Sequence, residues 1–184
     1  MTNSTQKPTF RIADMADLGD LFRLMRQLYE DDPGATLNEA EVTAPVTELL
    51  TSPSYGRIYV ATVGEQVVGS MVICFGFSLE FGGRDAFIDE FVIDRDHRSQ
   101  RIGSELLEFV VSDISRYQIR ALHLEVNSDN RRAADFYRGL GFMSHQRHLM
   151  TRWLSGHTSS ESTETAISNA IGLREKNESG LATS

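Results

Sequence analysis

The stretch HRSQRIGSELL, residues 97–107, begins two residues after the run AFIDEFVID, residues 86–94. The earlier run is apolar enough for a buried strand, and the later one starts an apolar pattern of helical spacing. A helix that begins just after a strand presents unpaired N–H groups and the positive end of its dipole, which together favour an anion. Arginines add positive charge there, and a glycine allows a ligand to approach the backbone closely. The stretch alone is compatible with a solvated turn or with a phosphate site, and the phosphate site would be formed by Arg98, Ser99, Gln100, Arg101, Ile102, Gly103 and Ser104.

Strand and helix patterns alternate on both sides of this stretch. Before it, the predicted elements are a strand at 9–13, a helix capped by Asp14 with an apolar stripe over 18–29, a second helix from Asn38 that Pro45 should kink or split, and two antiparallel strands within 57–79. After it, the predicted elements are a helix over 102–114, a strand at 121–127, a short helix from Asn130, and a final strand at 142–154.

This order of elements predicts the fold class. The strand, helix, strand unit at 85–127 requires one parallel step in a sheet that is otherwise antiparallel. We expect a single α/β domain with a mixed, mostly antiparallel sheet flanked by helices. Its predicted limits are residues 9–154, between a flexible N-terminus at 1–8 and a disordered polar tail at 155–184 that contains no Phe, Trp or Tyr.

The composition of the chain indicates which classes of partner and which cellular compartment to expect. The 184 residues include 18 Lys and Arg against 26 Asp and Glu, for a net charge of -8. An acidic chain repels nucleic acid and anionic membranes and favours a cationic partner. No apolar run is long enough to span a membrane, and the N-terminus lacks the apolar segment of a signal peptide. Because the single cysteine, Cys74, cannot form an internal disulfide, we expect a cytoplasmic protein with Cys74 in its core.

The pattern Arg98-x-x-Arg101-x-Gly103, preceded by FVID and followed by SELL, resembles the acetyl-CoA loop of the GNAT acyl-CoA N-acyltransferase superfamily. In that superfamily the loop reads Q/R-x-x-G-x-G/A, so Arg101 stands where the first glycine is most common. An arginine is tolerated there if its backbone is right-handed helical, whereas a positive φ would cost roughly 1–2 kcal/mol.

A second motif about 30 residues later supports the same resemblance. Asn130-x-x-Ala133-x-x-Phe136-Tyr137-x-x-x-Gly141-Phe142 looks like the superfamily's later motif, whose asparagine and tyrosine flank the bound cofactor. The resemblance covers residues 9–154. It implies acetyl-CoA as co-substrate, with Asn130, Ala133 and Phe136 among the residues that contact it.

The resemblance also implies where the reaction takes place. The strand ending at Ile93 and the strand at 121–127 would splay apart into a V-shaped gap, where pantetheine pairs with the backbone of Phe91, Val92 and Ile93. An N–H group near Phe91 or Val92 would polarise the thioester carbonyl. Tyr137 would protonate the departing thiolate.

Three carboxylates compete for the role of general base, because an ammonium must lose a proton before it can attack. Asp89 and Glu90 stand where spermidine/spermine acetyltransferases carry an acidic pair, and Glu125 stands where ribosomal-protein alanine acetyltransferases carry a glutamate. Strand alternation places Asp89 and Glu90 on opposite faces unless a bulge intervenes. A water-mediated route is the fourth alternative. Asp31 and Asp32, after the first helix, would wall the acceptor site.

These features favour an N-acetyltransferase that transfers acetyl to a primary amine by direct attack, with a small cationic amine as the preferred acceptor. The alternatives are a protein or peptide N-acetyltransferase and a non-catalytic sensor that binds acyl-CoA. The odd spacing of His145 and His148 on one strand argues against a metal pair, so no metal is expected. The predicted final strand offers an edge through which two chains would form a homodimer.

Overall fold

A computed structural model of the chain describes residues 6–32, 36–152 and 154. The chain divides into two compact units, Met1–Phe142 and Met143–Ser184. All of the helices and strands described below belong to the first unit. Within the described residues, no helix combines the length and the apolar character needed to span a bilayer.

The first unit is built on a five-stranded sheet. Its strands are β1 (Thr9–Ile12), β2 (Gly56–Val63), β3 (Gln66–Ser78), β4 (Gly83–Ile93) and β5 (Leu122–Leu124), in the spatial order β1-β2-β3-β4-β5. The first three pairings are antiparallel, and β4 pairs with β5 in parallel. A mixed, mostly antiparallel sheet with its parallel step at the unit 85–127 is therefore confirmed.

Four helices cover the two faces of the sheet: α1 (Leu18–Glu30), α2 (Glu39–Thr51), α3 (Ile102–Ser115) and α4 (Arg131–Gly139). On one face, apolar residues of α1 and α2 pack against β2, β3 and β4 around Leu24 and Val60. On the other face, α3 inserts Leu106 and Val110, both fully buried, and α4 packs at the margin through Tyr137 and Leu140. Two separate cores thus hold the sheet between helices, which is the arrangement that its apolar strands require.

The structure corrects three of the element predictions. Helix α2 runs unbroken through Pro45, although that residue lacks the N–H group that would bond the Glu41 carbonyl. Strand β5 is only three residues long, against the predicted 121–127. The described residues 143–152 and 154 contain no strand, because an alternating sequence forms one only where a neighbouring backbone completes a hydrogen-bonded ladder. The predicted tail at 155–184 lies outside the described residues.

Candidate active site

A cavity opens where β4 and β5 separate. Their parallel pairing covers Ala86 to Ile88 on β4 and ends at the pair Ile88 with Leu124, although β4 continues to Ile93. Among the described residues, the remainder of β4 has no strand partner on this side, so the backbone groups that point away from β3 form an open edge. The cavity has a volume of about 370 Å³. It is lined by Leu28, Tyr29, Asp32, Ile88, Asp89, Glu90, Phe91, Leu124, Glu125, Val126, Asn127, Asn130, Ala133 and Tyr137.

A β-bulge places two adjacent carboxylates in this cavity. Ile73 pairs with Ile88 and Val72 pairs with Glu90, so Asp89 is the extra residue on β4. A bulged residue interrupts the alternation of side chains along a strand. Asp89 and Glu90 therefore both line the cavity, instead of lying on opposite faces of the sheet.

The two carboxylates have different surroundings. The Tyr29 hydroxyl donates a hydrogen bond of 3.0 Å to Glu90 Oε1, whereas no described group donates to Asp89. Partial burial raises the pKa of Asp89 above its ordinary value, although the residue as a whole is exposed to solvent. Burial also raises the pKa of Glu90, helped by the charge of Asp89 and opposed by the Tyr29 hydrogen bond. Among the described residues, no lysine, arginine or histidine lines the cavity, and Asp89 and Glu90 form no ion pair with a basic side chain.

Tyr137 brings a phenol to the same cavity from α4. Its ring packs among aromatic side chains, with centroids 5.2 Å from Phe136, 5.5 Å from Phe142 and 6.4 Å from Phe91. Burial raises the pKa of Tyr137 to about 12. The hydroxyl is therefore protonated at neutral pH and available as a proton donor.

The loop between β4 and α3 carries two residues in the left-handed conformation. Ser99 has φ 62° and Arg101 has φ 67°. Arg101 therefore does not adopt the right-handed conformation in which an arginine would be tolerated without strain. It precedes the first residue of α3, its side chain is exposed, and it makes no side-chain cap to the helix. Left-handed residues turn successive N–H groups toward one side of a loop, which is the geometry of an anion-binding nest.

The Arg98 guanidinium is engaged within the protein. Its Nε donates to the Ile93 carbonyl at 2.9 Å, and its Nη2 donates to Asp31 at 2.8 Å. Arg95 also binds Asp31, at 2.7 Å, and both arginines lower the pKa of that carboxyl. The end of α1 is thus tied to the loop before α3. Asp31, predicted to wall the acceptor site with Asp32, faces these arginines instead, and only Asp32 lines the cavity.

The other predicted loop residues have local structural contacts. Gln100 Nε2 donates to the Asp96 carbonyl at 3.2 Å, and Ser104 Oγ donates to the Arg101 carbonyl at 2.9 Å. Ile102 is buried in the α3 core. A Cβ atom on Gly103 would lie 3.3 Å from Phe91 Cζ and 3.6 Å from Phe136 Cζ, so glycine keeps the helix close to these rings.

Near the end of β4, two consecutive side chains pack into the two cores and not into the cavity. Val92 is buried on the α1 face and Ile93 packs on the α3 face. Neither side chain therefore lines the cavity. Asn130 caps α4 by accepting a hydrogen bond of 3.0 Å from the N–H of Ala133, and both residues line the cavity.

Of the predicted site residues, the structure brings Asp89, Glu90, Phe91, Glu125, Asn130, Ala133 and Tyr137 together around one cavity. Phe136 stands behind Tyr137, and the loop residues 98–104 do not line the cavity. Sequence reasoning missed Tyr29, whose place in the apolar stripe of α1 indicated a core residue, and Asn127, which follows β5 without any motif. The feature of the sequence that indicated a role for Tyr29 in the site was its position at the end of the apolar stripe, next to Asp31 and Asp32. Within the described residues, no three His, Cys, Asp or Glu side chains are grouped to hold a metal ion.

Comparison with known proteins agrees with this geometry. Residues 22–142 match the acetyltransferase (GNAT) family. The thialysine N-epsilon-acetyltransferase of Bos taurus is 27% identical over 145 residues, which cover 71% of this chain and 81% of that protein.

Two solved structures have the same fold. An integron cassette protein from the mobile metagenome of Cole Harbour Salt Marsh is 29% identical, with a TM-score of 0.69 over 82% of this chain and 93% of that one. A possible acetyltransferase from Clostridium difficile 630 is 23% identical, with a TM-score of 0.71 over 82% of this chain and 99% of that one. The family match spans most of the described first unit and includes every residue that lines the cavity. The chain therefore belongs to the GNAT acetyltransferase family.

Proposed function

We propose that this protein is an acetyl-CoA-dependent N-acetyltransferase that acetylates a primary amine of a small cationic molecule by direct attack. The observation that carries the proposal is the joint placement of two carboxylates and a phenol, Asp89, Glu90 and Tyr137, in one cavity beside the open edge of β4. Amine acetylation needs both a proton acceptor and a proton donor at one site.

The residues around the loop fit acetyl-CoA. The first turn of α3 has unpaired N–H groups at 102–104, next to two left-handed loop residues, and such a helix start suits a pyrophosphate. A Cβ atom on Gly103 would crowd the Phe91 ring, so glycine lets the start of α3 lie close to β4. On the open edge of β4, the backbone groups of Phe91 and the N–H group of Ile93 can pair with the amide groups of pantetheine in the manner of an added strand, while Arg98 occupies the Ile93 carbonyl.

When bound, acetyl-CoA supplies the acetyl group as a thioester and leaves as the free thiol. A carboxylate of the pair Asp89 and Glu90 removes one proton from the ammonium nitrogen, which frees the lone pair that forms the new N–C bond. Tyr137 donates its proton to the departing sulfur as the C–S bond breaks. The phenolate then recovers a proton from the acylated nitrogen, and the carboxylate returns its proton to solvent.

The charge of the cavity supports a cationic acceptor. Asp32, Asp89, Glu90 and Glu125 all line it, and the net charge of the chain is -8. The similarity to an enzyme named for thialysine, whose amine is acetylated at the epsilon position, supports an amine at the end of a flexible chain. A desolvated carboxylate pair without a cation binds such an ammonium more strongly than a neutral ligand.

The test is a thiol-release assay with acetyl-CoA and a panel of thialysine, diamines, amino acids, aminoglycosides and short peptides. We expect turnover with small amines, and a kcat about 100-fold lower in Tyr137→Phe. Tyr55→Phe is the matched control, because Tyr55 is exposed and lies outside the cavity. Turnover only with peptides would favour a protein acetyltransferase. Thermal stabilisation by acetyl-CoA without turnover on any amine would refute the transferase and favour a sensor.

A further inference from the structure

The two carboxylates of the cavity differ in one contact. The Tyr29 hydroxyl, on the last turn of α1, donates to Glu90 Oε1 at 3.0 Å across 61 positions of sequence. Asp89 accepts no hydrogen bond and forms no ion pair among the described residues. Glu90 is therefore restrained by a side chain of α1, and Asp89 keeps both oxygens available.

We propose that Tyr29 is a positioning residue, whose hydroxyl holds the Glu90 carboxylate so that Glu90 binds the acceptor ammonium and Asp89 accepts its proton. This inference rests on the proposed function and assigns separate roles to the acidic pair. With two carboxylates in the cavity, one that stays ionised can keep the acceptor in place while the other takes its proton. A hydrogen bond to one carboxylate separates the two roles because it favours the charged form of that group alone.

The surroundings of Glu90 agree with this assignment. Tyr29 and Asp89 act directly on the pKa of Glu90, and the charge of Glu90 helps raise the pKa of Cys74 on β3. The other titratable groups that line the same cavity are Asp32, which follows α1, Glu125, which follows β5, and Tyr137 of α4. Tyr29 is the group in this set that lowers the pKa of Glu90, against burial and the charge of Asp89. Burial and the nearby carboxylates raise the pKa of Tyr29 itself, so its hydroxyl is protonated at neutral pH.

The experiment compares wild type, Tyr29→Phe, Glu90→Gln and the double variant, with Tyr55→Phe as the control. In steady-state assays on the best amine of the panel, Tyr29→Phe should raise the KM of the amine about tenfold and leave the KM of acetyl-CoA unchanged. Its kcat/KM profile should move its acidic limb to higher pH. On the Glu90→Gln background, Tyr29→Phe should add nothing to either effect.

A second measurement does not depend on turnover. The Glu90 carboxyl carbon, assigned in ¹³C-labelled protein by its absence in Glu90→Gln, should titrate at a higher pH in Tyr29→Phe than in wild type. If wild type acetylates amines but Glu90 titrates at the same pH in Tyr29→Phe as in wild type, the proposed role of Tyr29 is overturned. The shifted titration without turnover by wild type would refute the proposed function and leave the hydrogen bond confirmed. Equal effects of Tyr29→Phe on both backgrounds would mean a purely structural tyrosine and overturn the proposal.

Discussion

Replacing Arg101 by glycine should stabilise the folded protein. Arg101 has φ 67° at the residue before α3, in the region that residues with a Cβ atom avoid. The left-handed conformation costs such a residue roughly 1–2 kcal/mol. Glycine relieves this strain, but it is also more flexible in the unfolded chain, which offsets roughly 0.4–1 kcal/mol of the stability gained. The side chain is exposed and makes no cap, so its removal sacrifices no packing.

The net expectation is a gain of about 0.5–1 kcal/mol in the free energy of unfolding for Arg101→Gly. For a chain of this length, that corresponds to a rise of about 1–4 °C in the unfolding temperature. Arg101→Ala is the matched control, because alanine removes the same charge but keeps the Cβ atom. Thermal unfolding followed by circular dichroism, without ligand, should rank glycine above both alanine and arginine.

The affinity for acetyl-CoA should fall in both Arg101→Gly and Arg101→Ala. Both variants lose one positive charge near the helix start, so both should bind acetyl-CoA equally more weakly, by a factor that shrinks as salt is added. Stability thus separates glycine from alanine, whereas affinity does not. An Arg101→Ala protein as stable as Arg101→Gly would refute the argument from backbone strain.

Two further variants test the carboxylates. Partial burial raises the pKa of Asp89, so the folded protein holds that proton more tightly than the unfolded chain and ionisation at neutral pH lowers stability. Because Asp89 is also exposed to solvent, the effect is small: Asp89→Asn should unfold at a slightly higher temperature at pH 7, and the gain should vanish below the ordinary Asp pKa of 3.8. A gain that persists in acid would point to better packing by asparagine instead. Asp31→Asn should instead lower the free energy of unfolding, because Arg95 and Arg98 lower the pKa of Asp31. The loss should be about 1 kcal/mol or less at neutral pH, and it should disappear as the pH falls through the lowered pKa. A chemical-denaturation series from pH 2 to about pH 8 checks both signs, and an Asp31→Asn protein as stable as wild type at neutral pH would show that these surface ion pairs contribute nothing.

Local patterns in the sequence were sufficient to predict most of the framework. The apolar spacing from Ile102 to Ile114 identified α3, and the turn GEQ between two apolar runs identified the hairpin of β2 and β3. The final strand at 142–154 was wrong for the described residues, because alternation describes one chain and a strand requires two.

The site depended more on tertiary contacts. The pairing register of β3 decides whether Asp89 is an extra residue, and nothing in the letters DEF encodes that register. The partner of Glu90 lies on α1, in a stripe whose spacing is that of a core face. The sign of φ at Arg101 depends on how the loop enters α3. The sequence alone therefore did not reveal that Arg101 adopts the left-handed conformation.

The bulge at Asp89 connects the fold to the proposed chemistry. Without it, strand alternation would turn one of the two carboxylates into a helix-covered core, where an ionised group without a partner is costly. With it, both lie in the cavity and are partly desolvated, which raises their pKa values toward those of useful bases. The same desolvation lowers stability at neutral pH. A variant that is more stable and less active, as expected of Asp89→Asn, would therefore be the signature of a carboxylate retained for reaction and not for folding.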